Sequence, residues 1–599
     1  MAPPSISEST VSRSKLIVLF SSIAALVVAA GVAFAVTGGD DAPTPQTSEA
    51  PAPVPDEPTP EHVEAVATID ERATDAALAV LEDGGTAADA AVAAAAVLSV
   101  VEPYYSNVIG GETSALYYEA ETSEVRSLEA VGPVGEDYER SSYRGGQPFG
   151  LDQTIVPAAW EGWMVLLAEH GELDVARLLE PAITLAREGH AATPELARQV
   201  RSALQADSIN DPAREIYVPD GSPVDAGDTI VQTDFADTLQ GIVDAAEGAG
   251  EREAGIQAAR DHVYRGDLAE QIVGAVRDGG GTFTAADMAG YEAQLLETIT
   301  LEYEDAVVHQ NPPPSQGLTM LTALNTIAQA GLEPDDADQP ATTHLMVEAL
   351  KLAMADREEW VGDPAFTDVP VEGLLEGSYG QRQLERIDDG ASIDAPIDST
   401  LQNTTTFQVV DRFGDAVAVT TSTGYQLMAA GDTGIMVNNR IRYMTADDTS
   451  SPNYIEPGKK VRYTGNPYLV TTQDGALRML GGIIGGDTQA QVQTQNVVSV
   501  LTFGLDATQA IERPRFVTQN TPGSIAPHST PNQVRVEEST PGAVVWGLRD
   551  RGQNVSLQSG RQPFGSGSMI IVGEDGRSAD IGLDPRVPEA SGVERPPAD

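Results

Sequence analysis

The chain has 599 residues, 41% of them hydrophobic, which is enough for two packed subdomains or one large layered domain. Its formal charge of −55 argues against nucleic acid, whose phosphates an acidic surface repels; it fits an acidic proteome or adaptation to high salt. With no cysteine, disulfides, thiolate nucleophiles and cysteine-based metal sites are excluded.

Leu16 to Val36 is uncharged, preceded by Arg13 and Lys15 and followed by Asp40 and Asp41. At 1.5 Å per residue it spans roughly 30 Å, the thickness of a bilayer core. The flanking charges place the N-terminus inside and the bulk outside the membrane. The run is expected to be an uncleaved transmembrane anchor, with Ala33-Phe34-Ala35 offering the alternative of a cleaved signal. Residues 1–40 are therefore a cytoplasmic tip and membrane segment. Residues 41–61, rich in proline, threonine, alanine and acids, form an extended linker with too few large apolar groups for a core.

From 62 to about 400 the pattern is mostly helical. Ile69 to Leu81 carries apolar residues at helical spacing and stops at Gly84-Gly85; Thr86 caps a second, alanine-rich helix through Val101. Ser114 to Tyr118 and Val125 to Leu128 read as paired strands. Further helices are expected at 157–170, 174–187, 193–206, 268–278 and 341–355, and Asn311-Pro-Pro-Pro-Ser-Gln-Gly317 is a rigid loop entering another. After 403 the period falls from 3.6 to 2. Hairpins are expected at Phe407–Asp411 with Ala416–Thr421, at Tyr468–Thr472 with Ala476–Leu480, and at Met569–Val572 with Ala579–Leu583. Helices at 487–503, 506–512 and 541–551 lie between them. Hairpins covered by helices on both sides make a layered α/β sandwich with a largely antiparallel sheet.

The seven histidines show no metal-ligand spacing, and the glycine run from Gly481 to Gly486 lacks the downstream acid of a dinucleotide site. No metal and no cofactor is expected. Taken alone, the threonines of Asn403-Thr-Thr-Thr406 are ordinary strand formers.

In context they mean more. Asn403-Thr404-Thr405-Thr406-Phe407, Asp411, the Gly414 turn and Ala416-Val-Ala-Val-Thr420 together resemble the processing site of γ-glutamyltransferases. Gly84-Gly-Thr-Ala-Ala-Asp89, Val101-Glu-Pro103, Leu179-Glu-Pro-Ala182, Pro312-Pro-Pro-Ser315, Glu348 to Arg357, Asn438-Asn439, Gly485-Gly486, Pro514-Arg-Phe516 and Asp584-Pro-Arg586 recur in family order, so the resemblance covers nearly the whole body. It implies a four-layer αββα N-terminal-nucleophile sandwich, a precursor cut between Asn403 and Thr404, a large-subunit region 62–403, and a small-subunit region 404–599. The Thr404 hydroxyl would attack the Asn403 carbonyl, and the freed α-amine, with a reference pKa of about 7.7–8.0, would then serve as general base. Ser422 falls on the family's second hydroxyl and Gly485 and Gly486 on its oxyanion donors. Thr420, Asn438, Asn439, Arg440, Thr464 and Gly465 are the candidate substrate contacts. The implied partners are a small amide substrate, with water or an amine as acceptor.

The pattern also departs from the family's transferases. Their glutamate-binding arginine becomes Val131, an asparagine becomes Gly424, an acid becomes Tyr443, and paired serines become Thr464-Gly465. Arg126, Arg440 and Arg442 are the candidate substitutes for a charged clamp. Gly485-Gly-Asp-Thr-Gln489 resembles members likened to oxamate amidohydrolase. The expected activity is cleavage of amides, γ-glutamyl compounds such as glutathione or related small amides, with a shifted, oxamate-amidohydrolase-like specificity as the alternative. A reading of another class is an inactive, surface-anchored binding protein on the same fold.

Overall fold

The computed structural model describes residues 62–143, 149–388, 390, 404–424, 426–526, 528, 533–560, 562 and 564–597. Leu16–Val36, the 41–61 linker and Asn403 lie outside the described residues. Among the described residues no helix is long and apolar enough to cross a membrane.

Two antiparallel sheets form the centre. The first runs, edge to edge, Ser591–Arg595, Glu64–Thr68, Thr405–Val410, Ala416–Ser422, Glu112–Glu119, Glu124–Ala130 and Gln294–Glu297. The second runs Ala579–Leu583, Gly567–Val572, Leu477–Ile483, Tyr468–Thr472, Ala306–Gln310 and Ile299–Tyr303. Side chains alternate along each strand, and both faces of each sheet are covered. Ala65, Leu116, Ala416 and Ala418 meet Leu469, Leu480 and Ile570 in the apolar layer between the sheets. Their neighbours Val66, Phe407, Val409, Val417 and Val419 point the other way, into the helical layer built on Glu71–Glu82, Ala87–Val101 and Ala159–His170. Behind the second sheet, Tyr468, Val470 and Met479 pack on Gly317–Ala328 and Thr488–Leu501. Helices, sheet, sheet, helices: the sandwich is four layers deep.

The alanine-rich helix spans Ala87–Val101 and every residue in it is buried, which the small side chains allow at close approach to the sheet. Thr86 and Asp89 close its N-terminus in a reciprocal capping box. The three expected hairpins form, in the registers Val410↔Ala416, Thr471↔Leu477 and Val572↔Ala579. The expected helices form with ends shifted by a few residues, and the one expected at 341–355 extends through Pro340–Trp360.

The region before 400 holds more strand than its helical pattern predicts. Gln294–Glu297 and Ile299–Tyr303 are edges of the first and second sheets, Ala306–Gln310 pairs inside the second, and Glu64–Thr68 precedes the first helix, which begins at Glu71 rather than Ile69. A small third sheet, Phe516–Gln519, Gln533–Glu537 and Val555–Gln558, includes a parallel pair that no local hairpin signal announces.

Candidate active site

Thr404 immediately precedes the strand Thr405–Val410. Phe407 and Val409 face the helices, so the even-numbered Thr404, Thr406 and Gln408 face the space between the sheets. Gln408 Oε1 accepts from Ser568 Oγ at 2.6 Å across that space. The ladder pairs Thr405 with Thr421 and Thr406 with Thr420; one step further sets Thr404 opposite Ser422, on the same face. The two expected hydroxyls are thus brought together by register. Ser422 Oγ also accepts the Gly424 N–H at 3.0 Å. Thr420 shares the face, with its hydroxyl buried and unpartnered among the described residues.

Gly485 and Gly486 follow the central strand Leu477–Ile483 of the second sheet, at φ 127° and 54°. This left-handed region favours glycine, and successive backbone N–H groups in such turns can form an anion-accepting concavity. Asp487 and the helix Thr488–Leu501 follow at once, adding the positive end of a helix dipole. Asp487 is anchored from three sides. Arg357 Nη1 reaches its Oδ1 at 2.5 Å, Ser524 Oγ donates to the same oxygen at 2.6 Å, and the Ser524 N–H donates to Oδ2 at 2.8 Å. Burial pushes this carboxyl up, but the Arg357 charge and the two Ser524 donors outweigh it and leave its pKa below the ordinary value.

Two glutamines bind the loop to its neighbours. Gln316, from the expected rigid loop, donates to the Thr464 carbonyl at 2.7 Å and the Gly486 carbonyl at 3.0 Å. Gln489, fully buried, is satisfied when its amide nitrogen faces the carbonyls of Thr464 (3.0 Å) and Ile483 (3.3 Å) and its oxygen accepts the Gly486 N–H (3.3 Å). That same end of the amide lies 3.4 Å from Thr404 Oγ1. A single oxygen therefore sits within hydrogen-bonding range of the candidate nucleophile and of a candidate oxyanion donor. On the other side of the strand, Thr405 donates to Glu102 at 3.2 Å; burial first, then the charges of Asp70 and Glu195, raise the Glu102 pKa well above the ordinary range.

The other candidate contacts divide. Thr464 lies beside the glycine loop, its carbonyl meeting the Gln316 and Gln489 amides, and a Cβ at the adjoining Gly465 would meet the Tyr463 ring at 2.3 Å, so the close approach requires glycine. Asn438 is structural: its amide ties the Gly110 carbonyl (3.3 Å) to the Ile155 carbonyl (3.1 Å) and N–H (3.0 Å). The Asn439 side chain closes on Gly424, whose φ of 92° already favours glycine, and a Cβ there would overlap the Asn439 amide oxygen at 1.9 Å. Arg440 is 1% exposed and committed internally. Its guanidinium meets Glu112 at 2.5 Å, donates to the Ser422 carbonyl at 3.1 Å, and lies between the Tyr443 and Tyr463 rings, 4.8 Å from each centroid. Burial lifts Glu112 to about 7, with Arg440 pulling the other way. Arg442 lies 4.1 Å over the Phe149 ring and donates to Ala526. Arg126 is on the outer part of its strand beside Glu124. Val131 and Tyr443 belong to one apolar cluster with Ile155, Val461 and Tyr463.

Arg357, Asp487, Gln316 and Gln489 were absent from the expected site. Asp487 and Gln489 lie in the Gly485-to-Gln489 motif singled out above without a role, whereas Gln316 and Arg357 read as polar residues at the end of a rigid loop and on a covered helix.

The layered sandwich, with the candidate nucleophile at the head of a central strand, is that of N-terminal-nucleophile hydrolases. Residues 73–593 match the family model for gamma-glutamyltranspeptidase, and the chain belongs to that family. It is similar to the glutathione hydrolase-like YwrD proenzyme of Bacillus subtilis (30% identity over 515 residues, 85% of this chain and 94% of that protein). It is also similar to the oxamate amidohydrolase proenzyme of Klebsiella pneumoniae (29% over 500 residues, 81% and 90%). Among solved structures, cephalosporin acylase from Bacillus halodurans superposes with a TM-score of 0.78 at 27% identity, covering 92% of this chain and 98% of that one. The chain is an enzyme of this amide-cleaving family, whose relatives are made as proenzymes.

Proposed function

We propose that the protein cuts itself between Asn403 and Thr404 and then cleaves small amides through a Thr404 acyl-enzyme, with little preference for a glutamyl group. The observation that carries this reading is the shared 3.4 Å and 3.3 Å approach of Thr404 Oγ1 and the Gly486 N–H to one amide oxygen. A point near both nucleophile and oxyanion donor is what a reacting carbonyl requires.

In the precursor the Thr404 hydroxyl adds to the Asn403 carbonyl, the peptide nitrogen leaves as the Thr404 α-amine, and water hydrolyses the resulting ester. The freed amine then takes the hydroxyl proton as the hydroxyl adds to a substrate amide. The leaving amine departs with a proton, and water or a second amine resolves the acyl-enzyme. Gly485 and Gly486 supply N–H groups to the oxyanion in each step.

The substrate reading rests on what surrounds the departures. Val131 and Tyr443 lie in an apolar cluster, and Arg440 is occupied by Glu112 between two tyrosines. Each lost charged hydrogen bond is worth roughly 1.5–3 kcal/mol. Two lost together lower γ-glutamyl affinity about a hundredfold or more. A kcat/KM comparison on processed enzyme, in low and high salt, is expected to favour a small non-glutamyl amide over glutathione and γ-glutamyl anilides. Efficient glutathione hydrolysis, inhibited by glutamate analogues, would overturn this substrate assignment.

We also propose that Leu16–Val36 carries the enzyme through export and anchors it outside the cytoplasm, supported by its length and flanking charges. Full-length protein is expected in membranes after alkaline washing; mature protein beginning at Val36 in the medium would show a cleaved signal instead.

A further inference from the structure

Gln489 stands at the first turn of the helix Thr488–Leu501, three residues after Gly486, and is fully buried. Its amide has two ends that face opposite demands. One end meets carbonyl oxygens, of Thr464 at 3.0 Å and Ile483 at 3.3 Å, which outweigh the longer approach of the Asn466 N–H at 3.4 Å, so this end donates. The other meets the Gly486 N–H at 3.3 Å and must accept. With the polarity so fixed, the group 3.4 Å from Thr404 Oγ1 is an acceptor, and the only proton the threonine side chain offers it is the hydroxyl's.

We propose that Gln489 is a positioning residue for the acyl-transfer step, holding the Thr404 hydroxyl and the Gly486 N–H at one point until the substrate's carbonyl oxygen takes that place. This rests on the reading of Thr404 as the nucleophile. In the resting site the hydroxyl donates to the Gln489 oxygen, which selects one Thr404 rotamer. The same oxygen keeps the Gly486 N–H turned toward the nucleophile. When the substrate enters, its carbonyl oxygen takes over the Gly486 N–H, and the hydroxyl proton passes to the α-amine as Oγ1 adds to the carbonyl carbon. The amide nitrogen, still bound to Thr464 and Ile483, keeps the side chain in register throughout.

A neutral amide suits this place where an anion does not. A carboxylate would turn one oxygen onto the Thr464 and Ile483 carbonyls and set a full charge beside the developing oxyanion. Its protonated form can mimic the amide, donating to the carbonyls and accepting on the other oxygen. Of the charged side chains on the adjoining helices, Arg357 and Asp487 are bound to each other at 2.5 Å, which leaves the Thr404 α-amine as the nearby group that changes charge over this range.

The test is Gln489→Glu beside Gln489→Met, each isolated as the processed two-chain enzyme and assayed for kcat and KM between pH 5 and 8.5. Both are expected to lose at least tenfold in kcat at pH 8, with KM changed less than threefold. The ratio of Gln489→Glu to wild-type activity is expected to rise at least tenfold from pH 8 to pH 5, while the Gln489→Met ratio stays flat. Should Gln489→Glu fail to mature at pH 8, precursor cleavage is followed over the same range, and faster cleavage at low pH is the expected result. A flat Gln489→Glu ratio, or losses confined to KM, would overturn the positioning role. Wild type that never matures, or Thr404→Ala that stays active, would instead overturn the nucleophile reading and this inference with it.

Discussion

Arg357→Met removes the cation that holds the start of the glycine-loop helix. The guanidinium is fully buried, donating to Asp487 (2.5 Å), Gln316 (3.1 Å), Glu358 and the Pro522 carbonyl (3.0 Å). Methionine fills the stem's volume but leaves the Asp487 carboxylate buried with only its Ser524 donors. Breaking a buried pair from one side typically costs about 3–5 kcal/mol. At roughly 2.1 cal/mol/K of unfolding entropy per residue over about 540 residues, that is a fall in Tm of ~3–4 °C. The cost arises from an uncompensated charge, so Asp487→Asn placed in the Arg357→Met background should recover part of it. A double-mutant cycle by differential scanning calorimetry should give a coupling of about 2 kcal/mol or more. The sign of the pH dependence follows from the same pair. In wild type the Asp487 pKa is depressed, so its contribution is present above the unfolded value of about 3.9 and is lost as pH falls through the lower folded value. In Arg357→Met, burial without the arginine raises that pKa, and the deficit should shrink as pH is lowered toward 4. Additive single-mutant effects, or a deficit independent of pH, would refute the argument that this pair anchors the loop.

His309 is half-buried between Thr298 and Thr471, and desolvation lowers its pKa to about 4. Its contribution is therefore present above the unfolded pKa of about 6.5 and lost as pH falls to about 4, on the order of 3 kcal/mol; urea titrations of wild type and His309→Gln should differ in slope over that window alone. Gly424→Ala should destabilise by about 1–3 kcal/mol from positive φ alone, and more because Asn439 occupies the Cβ position. For the same reason Gly424→Asn should not restore γ-glutamyl turnover in a kcat/KM assay.

The position of the candidate nucleophile on its strand was legible because strand periodicity is local. Phe407, Val409 and Val417 alternate with Thr406, Gln408, Ala416 and Ala418, and the Gly414 turn sets a register that pairs Thr405 with Thr421 and, continued one step, sets Thr404 against Ser422. Gly485 and Gly486 were legible because positive φ has a residue signature. The polar layer around them was not. Gln316, Arg357 and Gln489 come from three separate helices or loops, and a glutamine on a covered helix face reads the same whether it binds solvent or a catalytic loop. Arg440 illustrates the opposite error, since a lone arginine near a binding segment suggests a substrate clamp. Its commitment to Glu112 and two tyrosine rings depends on a partner 328 residues away in sequence. The strands between 294 and 310 were missed because they are only four or five residues long, and the two at sheet edges carry Glu297 and Glu302 on exposed positions.

The central claim is that Thr404 becomes the first residue of a new chain. Intact-mass measurement with N-terminal sequencing of the purified protein, beside Thr404→Ala and Thr404→Ser, tests it directly. The account predicts two tightly associated chains, the smaller comprising the 196 residues from Thr404 to Asp599. Thr404→Ala is expected to remain whole, and Thr404→Ser to be cut at the same junction. Wild type that stays a single chain on prolonged incubation, or a small chain beginning at Thr405, would contradict it.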